Sequence, residues 1–148
     1  MDLSRLNPRV YSAALYEKIN RTEECVGYDC RIIYIVSGDL SATVGGAKLG
    51  HLSPGHLLYI PAGTPYKLKS KYLRAVVISF DLTSDGEGCR RMPVLSAELD
   101  MSLVTPTFPP FDKTIHIPDM EVERDGLIAM QIYLPRRRDS IFTSFRHG

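Results

Sequence analysis

Residues 31–80 are punctuated at short, regular intervals, and that rhythm leaves few folds open. The stretch reads RIIYIVSGDLSATVGGAKLGHLSPGHLLYIPAGTPYKLKSKYLRAVVISF. Every apolar run in it is of strand length, and each is closed by a turn rich in Gly, Pro, Ser or Asp. Arg31–Val36 is rich in β-branched and aromatic residues and ends at Ser37-Gly38-Asp39. Leu40–Val44 alternates apolar with hydroxyl residues. Gly45-Gly46 then predicts a tight hairpin, because both central positions of such a turn take positive φ. Lys48–Leu52 is the return strand, and Ser53-Pro54-Gly55 the next turn. Leu57–Ile60 is a buried strand stopped by Pro61, which cannot donate to a ladder. Lys67, Lys69 and Lys71 alternate with Tyr66 and Leu68, so the lysines face water and Tyr66 and Leu68 face inward. Arg74–Phe80 completes the series. Side-chain alternation also puts Arg31, Ile33, Ile35, Leu58 and Ile60 on the inner face.

The flanks extend the pattern. Val10–Tyr16 is expected to add an edge strand, Thr105–Phe111 to be extended around its prolines, and Thr114–Ile117 to close the set. From Met120 the apolar spacing turns helical, through Val122, Leu127, Ile128, Met130, Ile132 and Tyr133. Gly126 weakens that helix and Pro135 stops it. Arg136–Arg146 reads as the start of a second helix, whose stripe of Ile141, Phe142 and Phe145 has nothing after it to pack on. The expected class is therefore mainly β: a jelly-roll barrel over residues 1–118, followed by C-terminal α-helices over residues 119–148 that begin a longer protein.

With 148 residues, 44% of them apolar, the chain can bury a substantial single core. A formal net charge of +1 gives it no electrostatic reason to bind nucleic acid by itself. No apolar run reaches the length of a membrane span, and the N-terminus lacks the apolar centre of a signal peptide. Three cysteines, Cys25, Cys30 and Cys89, are an odd set without zinc-ribbon spacing. They are expected as reduced thiols in a cytoplasmic protein, not as a disulfide framework.

The turn residues carry a resemblance. Gly55, Pro61 and Gly63 resemble the second conserved motif of the cupin superfamily, whose closing metal-binding histidine falls here on Tyr66. Registering the last glycine of the first cupin motif on Gly38 puts its glutamate at Arg31 and its two histidines at Cys25 and Gly27. A guanidinium where a carboxylate should be would repel a cation. The resemblance thus implies a barrel with neither metal nor cofactor. A narrower likeness covers residues 8–82 and, more loosely, 112–148. There the chain is similar to the N-terminal effector-binding domain of AraC-family transcription regulators. That likeness implies a small-molecule effector in the barrel, such as a sugar or a small acid. It also implies a homodimer through the C-terminal helices, and contact with DNA only through a domain outside this chain.

Candidate ligand-binding residues are Arg31, Tyr66, Ile33, Ile35, Leu58, Leu68 and Cys25. Two roles are open for Arg31: an anchor for an anionic or polyhydroxylated ligand, or a partner of an internal carboxylate with its stem packed. Tyr66 is either an effector-binding hydroxyl or a core tyrosine. Cys25 is a redox sensor if exposed and a small apolar side chain if buried. His51, His56, His116 and His147 read as turn or surface residues, and Arg74 as a strand-end residue. No nucleophile–base pair, phosphate-cradling loop or spaced carboxylate pair stands out, so a catalytic role is not expected. The alternative is a stand-alone small cupin enzyme or binding protein acting on a sugar or other small polar metabolite.

Overall fold

The computed structural model describes residues 4–84, 88, 91–120, 122, 126 and 134–137. Eight strands form the frame: β1 (Arg9–Tyr16), β2 (Asn20–Val26), β3 (Cys30–Gly38), β4 (Leu40–Val44), β5 (Ala47–Leu52), β6 (Leu57–Ile60), β7 (Pro65–Lys69) and β8 (Leu73–Asp81). Three short strands are added to them: β9 (Val94–Leu95), β10 (Ile115–Ile117) and β11 (Arg136–Arg137). One sheet has the order β10-β6-β3-β8-β1-β11, the other β5-β4-β7-β2-β9.

The frame is a jelly roll. Strands β1-β8-β3-β6 make one antiparallel four-stranded set and β2-β7-β4-β5 the other, which is the double Greek key of that architecture. Apart from the β4–β5 hairpin, each of these strands crosses to the other sheet from its predecessor, and the two sheets bury their facing sides against each other. Gly45 and Gly46 sit at φ 58° and 82° between β4 and β5, the hairpin that their sequence predicts.

Side-chain parity decides what fills the barrel. Ile33 and Ile35 from β3, Leu58 and Ile60 from β6, and Ala75 and Val77 from β8 meet Leu40, Ala42, Leu52, Tyr66 and Leu68 from the other sheet in one buried cluster. Lys67 and Lys69 are exposed, as their alternation requires. The outer face of the larger sheet is also apolar. Cys30, Tyr59, Phe80 and Leu82 pack there under Phe108 and Phe111, and Leu15, Tyr34 and Val76 pack with Met120, Val122 and Leu134. A sheet covered on both sides explains why β3 and β8 are apolar on both faces.

The C-terminal region departs from its sequence reading at one point. Arg136 and Arg137 do not open a helix; they pair parallel to β1 at Leu15 and Tyr16. Pro135 favours extended backbone before and at its own position, its carbonyl accepts from Leu15 N at 2.8 Å, and the free edge of β1 supplies the ladder. Most of the helix expected from Met120, and all of the segment after Arg137, lie outside the described residues. So do Cys89 and His147. No helix among the described residues is long and apolar enough to cross a membrane.

Candidate functional site

The interior site is built where the two sheets face each other. Arg31 stands on β3 opposite Ser79 of β8 and Ile60 of β6. Tyr66 stands on β7 opposite Cys25 of β2. Across the barrel, Arg31 Nε donates to the Tyr66 hydroxyl at 3.2 Å, and its Nη1 donates to Ser79 Oγ at 2.7 Å. Its Nη2 lies 3.3 Å from Oδ1 of Asp29, which shares its face of the chain. Arg31 and Asp29 are each only 4% exposed. A side chain at Gly27 would crowd the guanidinium, since a Cβ there would lie 3.4 Å from Nε.

Burial alone would lower the pKa of Arg31, but Tyr66 and Asp29 raise it by more, and the net shift is upward. The guanidinium is a permanent positive charge inside the barrel. Burial also pushes the Tyr66 hydroxyl well up, against the opposing pull of Arg31, so it remains a neutral phenol. On these contacts a Tyr66→Phe variant should lose about 1.5–3 kcal/mol of stability, the range for a hydrogen bond to a charged group. Urea unfolding tests this, and a loss below about 0.5 kcal/mol would mean that the ring alone matters.

The other sequence candidates gather around this pair. Ile33, Ile35, Leu58, Leu68 and Cys25 are all fully buried in the same cluster as Tyr66. Cys25 is a fully buried thiol with its Sγ 3.6 Å from the Glu23 carbonyl, and full burial removes the access that a redox sensor needs. Cys30 is held as a thiol chiefly by burial and receives a hydrogen bond from the Tyr59 hydroxyl.

Open space lies at the barrel end formed by the β2–β3 turn and the end of β8. A cavity of about 180 Å³ is lined by Tyr28, Asp29, Asp81, Arg91, Ser102, Leu103 and Thr105. Its cover is the segment 96–111, which contains two single 3-10 turns, Ser96–Glu98 and Met101–Leu103. The cover is anchored on Tyr28, whose carbonyl accepts from Thr105 N and Oγ1 and whose hydroxyl accepts from Asp100 N. A second cleft of about 530 Å³ shares Asp81 and Thr105 and continues along Arg5, Asn7, Thr83 and Phe108. At the opposite end a hollow of about 440 Å³ lies among Glu17, Lys18, Ser37 and Arg74. An apolar groove of about 350 Å³ runs over Ile32, Leu57 and Tyr59 outside the larger sheet. None of these four is lined by Arg31 or Tyr66. Asp29 is the residue through which the buried network reaches a cavity wall.

Asp29, Ser79 and Asp81 were not singled out by the sequence. Parity was the available signal, since Asp29 alternates with Arg31, and Ser79 and Asp81 with Val77. A histidine pair was missed as well. His56 Nδ1 lies 2.9 Å from His116 Nε2, where β10 docks on β6. One nitrogen must donate and the other accept, so the accepting ring has to be neutral. Partial burial, and then the neighbouring His56, hold the His116 pKa below the usual histidine value. The folded chain therefore binds fewer protons here than the unfolded chain, in which histidine titrates near ~6.5. The stability this pair supplies is present above that pH and is lost as the pH falls through the folded pKa. Melting temperature should drop between about pH 7.5 and pH 5, and His116→Gln should flatten that drop. An unchanged slope in the variant would exclude the pair as its source.

No family model matches the chain, and no curated protein matches it. Among solved structures it is similar to parts of oxalate decarboxylase from Bacillus subtilis. The form determined at pH 4.6 aligns at 17% identity over 56% of this chain and 23% of that one, with a TM-score of 0.37. An arginine-to-alanine mutant of the same enzyme aligns at 17% identity over 59% and 30%, with a TM-score of 0.38. The chain spans less than a third of the length of these enzymes.

Proposed function

We propose that this chain is the ligand-sensing and dimerisation domain of an AraC-type transcriptional regulator, taking a small polar effector in a metal-free cupin barrel. One observation carries the metal-free reading. A permanently charged guanidinium, bound to Tyr66, Ser79 and Asp29, fills the interior where the cupin motif would place a metal-binding carboxylate. Two cavities at the adjoining barrel end offer the effector polar walls, and Asp29 lines the smaller of them. Effector binding there would favour one arrangement of the covering segments and so bias the helices that join two copies. DNA is contacted only through a domain outside this chain, which itself catalyses no reaction.

The competing reading is a stand-alone cupin enzyme or binding protein for a small polar metabolite. The two carboxylates Asp29 and Asp81 on one small cavity favour it, because such groups can move protons. A thermal-shift screen of small polar metabolites, combined with metal analysis of the purified chain, separates the sensor from the enzyme form of that reading. A binder present at 100 times its Kd should stabilise the barrel by about 2.7 kcal/mol. Stabilisation without turnover supports the sensor. Stoichiometric iron, zinc, manganese or nickel, or turnover of the metabolite, overturns it.

A further inference from the structure

Asp81 ends β8 on the same face as Ser79 and is 7% exposed. Its Oδ2 accepts a hydrogen bond from the Tyr11 hydroxyl. Its Oδ1 is buried and has no hydrogen-bond partner among the described residues. Buried carboxylate oxygens are seldom left in that state, and an orphaned one points to something that completes it. Asp81 stands in the wall common to the 180 Å³ and 530 Å³ cavities, so open space adjoins the residue on two sides.

The larger cleft narrows the chemistry of that donor. Its charged groups are Asp81, which only accepts, and Arg5, which only donates. The Arg5 guanidinium lies 4.4 Å over the Phe108 ring, a cation–π contact that holds it at the cleft wall. Asn7, Thr83 and Thr105 add neutral polar groups between them. A bare metal ion is a poor fit, because one carboxylate oxygen beside a guanidinium falls short of the oxygen cage that hard cations require. No cluster of three or more His, Cys, Asp or Glu able to hold a metal occurs among the described residues. A ligand bearing both an ammonium and a carboxylate matches both walls at once, and each contact is then charge-assisted.

We propose that this cleft binds a small zwitterion of amino-acid type, its ammonium donating to the Asp81 carboxylate and its carboxylate facing Arg5. The inference rests on the barrel being a small-molecule sensor, and it gives the effector its chemical class.

The test uses the whole chain and a matched set of probes: the common amino acids, γ-aminobutyrate, and butyrate and butylamine as its halves, with neutral sugars alongside. Melting temperature and titration calorimetry are the readouts. At least one zwitterion should bind, and each half of a matched zwitterion should bind at least about tenfold more weakly. Asp81→Asn keeps an acceptor for Tyr11 and should melt no lower than the parent in the absence of ligand. Its affinity for the zwitterion should fall roughly tenfold to a hundredfold, the range for losing a charged hydrogen bond. Arg5→Gln should weaken binding in the same way, and it decides the matter if Asp81→Asn does not fold. Unchanged affinity in a folded variant overturns the inference. So does a result in which only neutral sugars bind, which leaves the sensor reading standing. Silence from every probe, sugars included, removes both.

Discussion

Replacing Arg31 by methionine is expected to destabilise the barrel by about 3–5 kcal/mol, the cost of stripping one partner from a buried ion pair. Methionine fills similar space, so little of the loss would come from a cavity. What remains is the Asp29 carboxylate, 4% exposed, without its guanidinium. Tyr66 and Ser79 lose a bonding partner in the same step. For a chain of this size the melting temperature should fall by roughly 6–20 °C. Asp29→Asn in the same background should recover part of the loss, because it removes the charge left behind. Urea unfolding of the two single variants and the double variant gives the coupling directly. A loss under about 1 kcal/mol for Arg31→Met would mean that the pair is solvated and that the interior is not the low-dielectric site described above.

Gly38→Ala should be comparably severe for a different reason. Gly38 sits at φ 79°, and a Cβ there would lie 2.1 Å from the Tyr72 carbonyl oxygen and 2.7 Å from its carbon. Both atoms are backbone, so no side chain can swing aside. The Tyr72 carbonyl also accepts from Asp39 N at 3.1 Å, and Gly38 pairs with Leu73 in the β3–β8 ladder. Left-handed backbone costs a non-glycine residue about 1–2 kcal/mol, and forced repacking adds about 1–3 kcal/mol. Gly46→Ala isolates the first of these. Its φ is 82° with nothing within 4 Å of the added Cβ, so it should lose only about 1–2 kcal/mol. Equal losses in the two variants would mean that backbone conformation, and not the close approach to Tyr72, sets the requirement for glycine at position 38.

The frame was legible in the sequence because each strand of the barrel has an inner and an outer face and each turn needs particular residues. Leu40–Val44 and Leu57–Ile60 have the expected bounds, and the lysine alternation after Pro65 gave the inward direction of Tyr66 and Leu68. The interior position of Arg31 followed from the same parity. Its partners did not, because Ser79 is brought to Arg31 by the register of β3 on β8, and register depends on pairings distant in sequence. His56 and His116 illustrate the same limit, being ordinary turn and strand residues until β10 docks on β6. Arg136 and Arg137 failed in the opposite sense. Their local pattern favours helix, and the open edge of β1 overrides it.

The anchoring of the barrel-end cover has a consequence for how fast anything can exchange there. Three hydrogen bonds hold it to Tyr28, the Tyr59 hydroxyl donates a further one to the Phe111 carbonyl, and all must break together if the whole cover is to lift. At about 1 kcal/mol each, the lifted state would be populated less than about 1% of the time. A solute reaching the smaller cavity by that route would arrive and leave at the rhythm of a rare opening. The cleft between residues 4–7 and 105–108 offers a path to Asp81 that leaves those bonds intact. The barrel end therefore has a slow door and a fast one, and Asp81 stands at both.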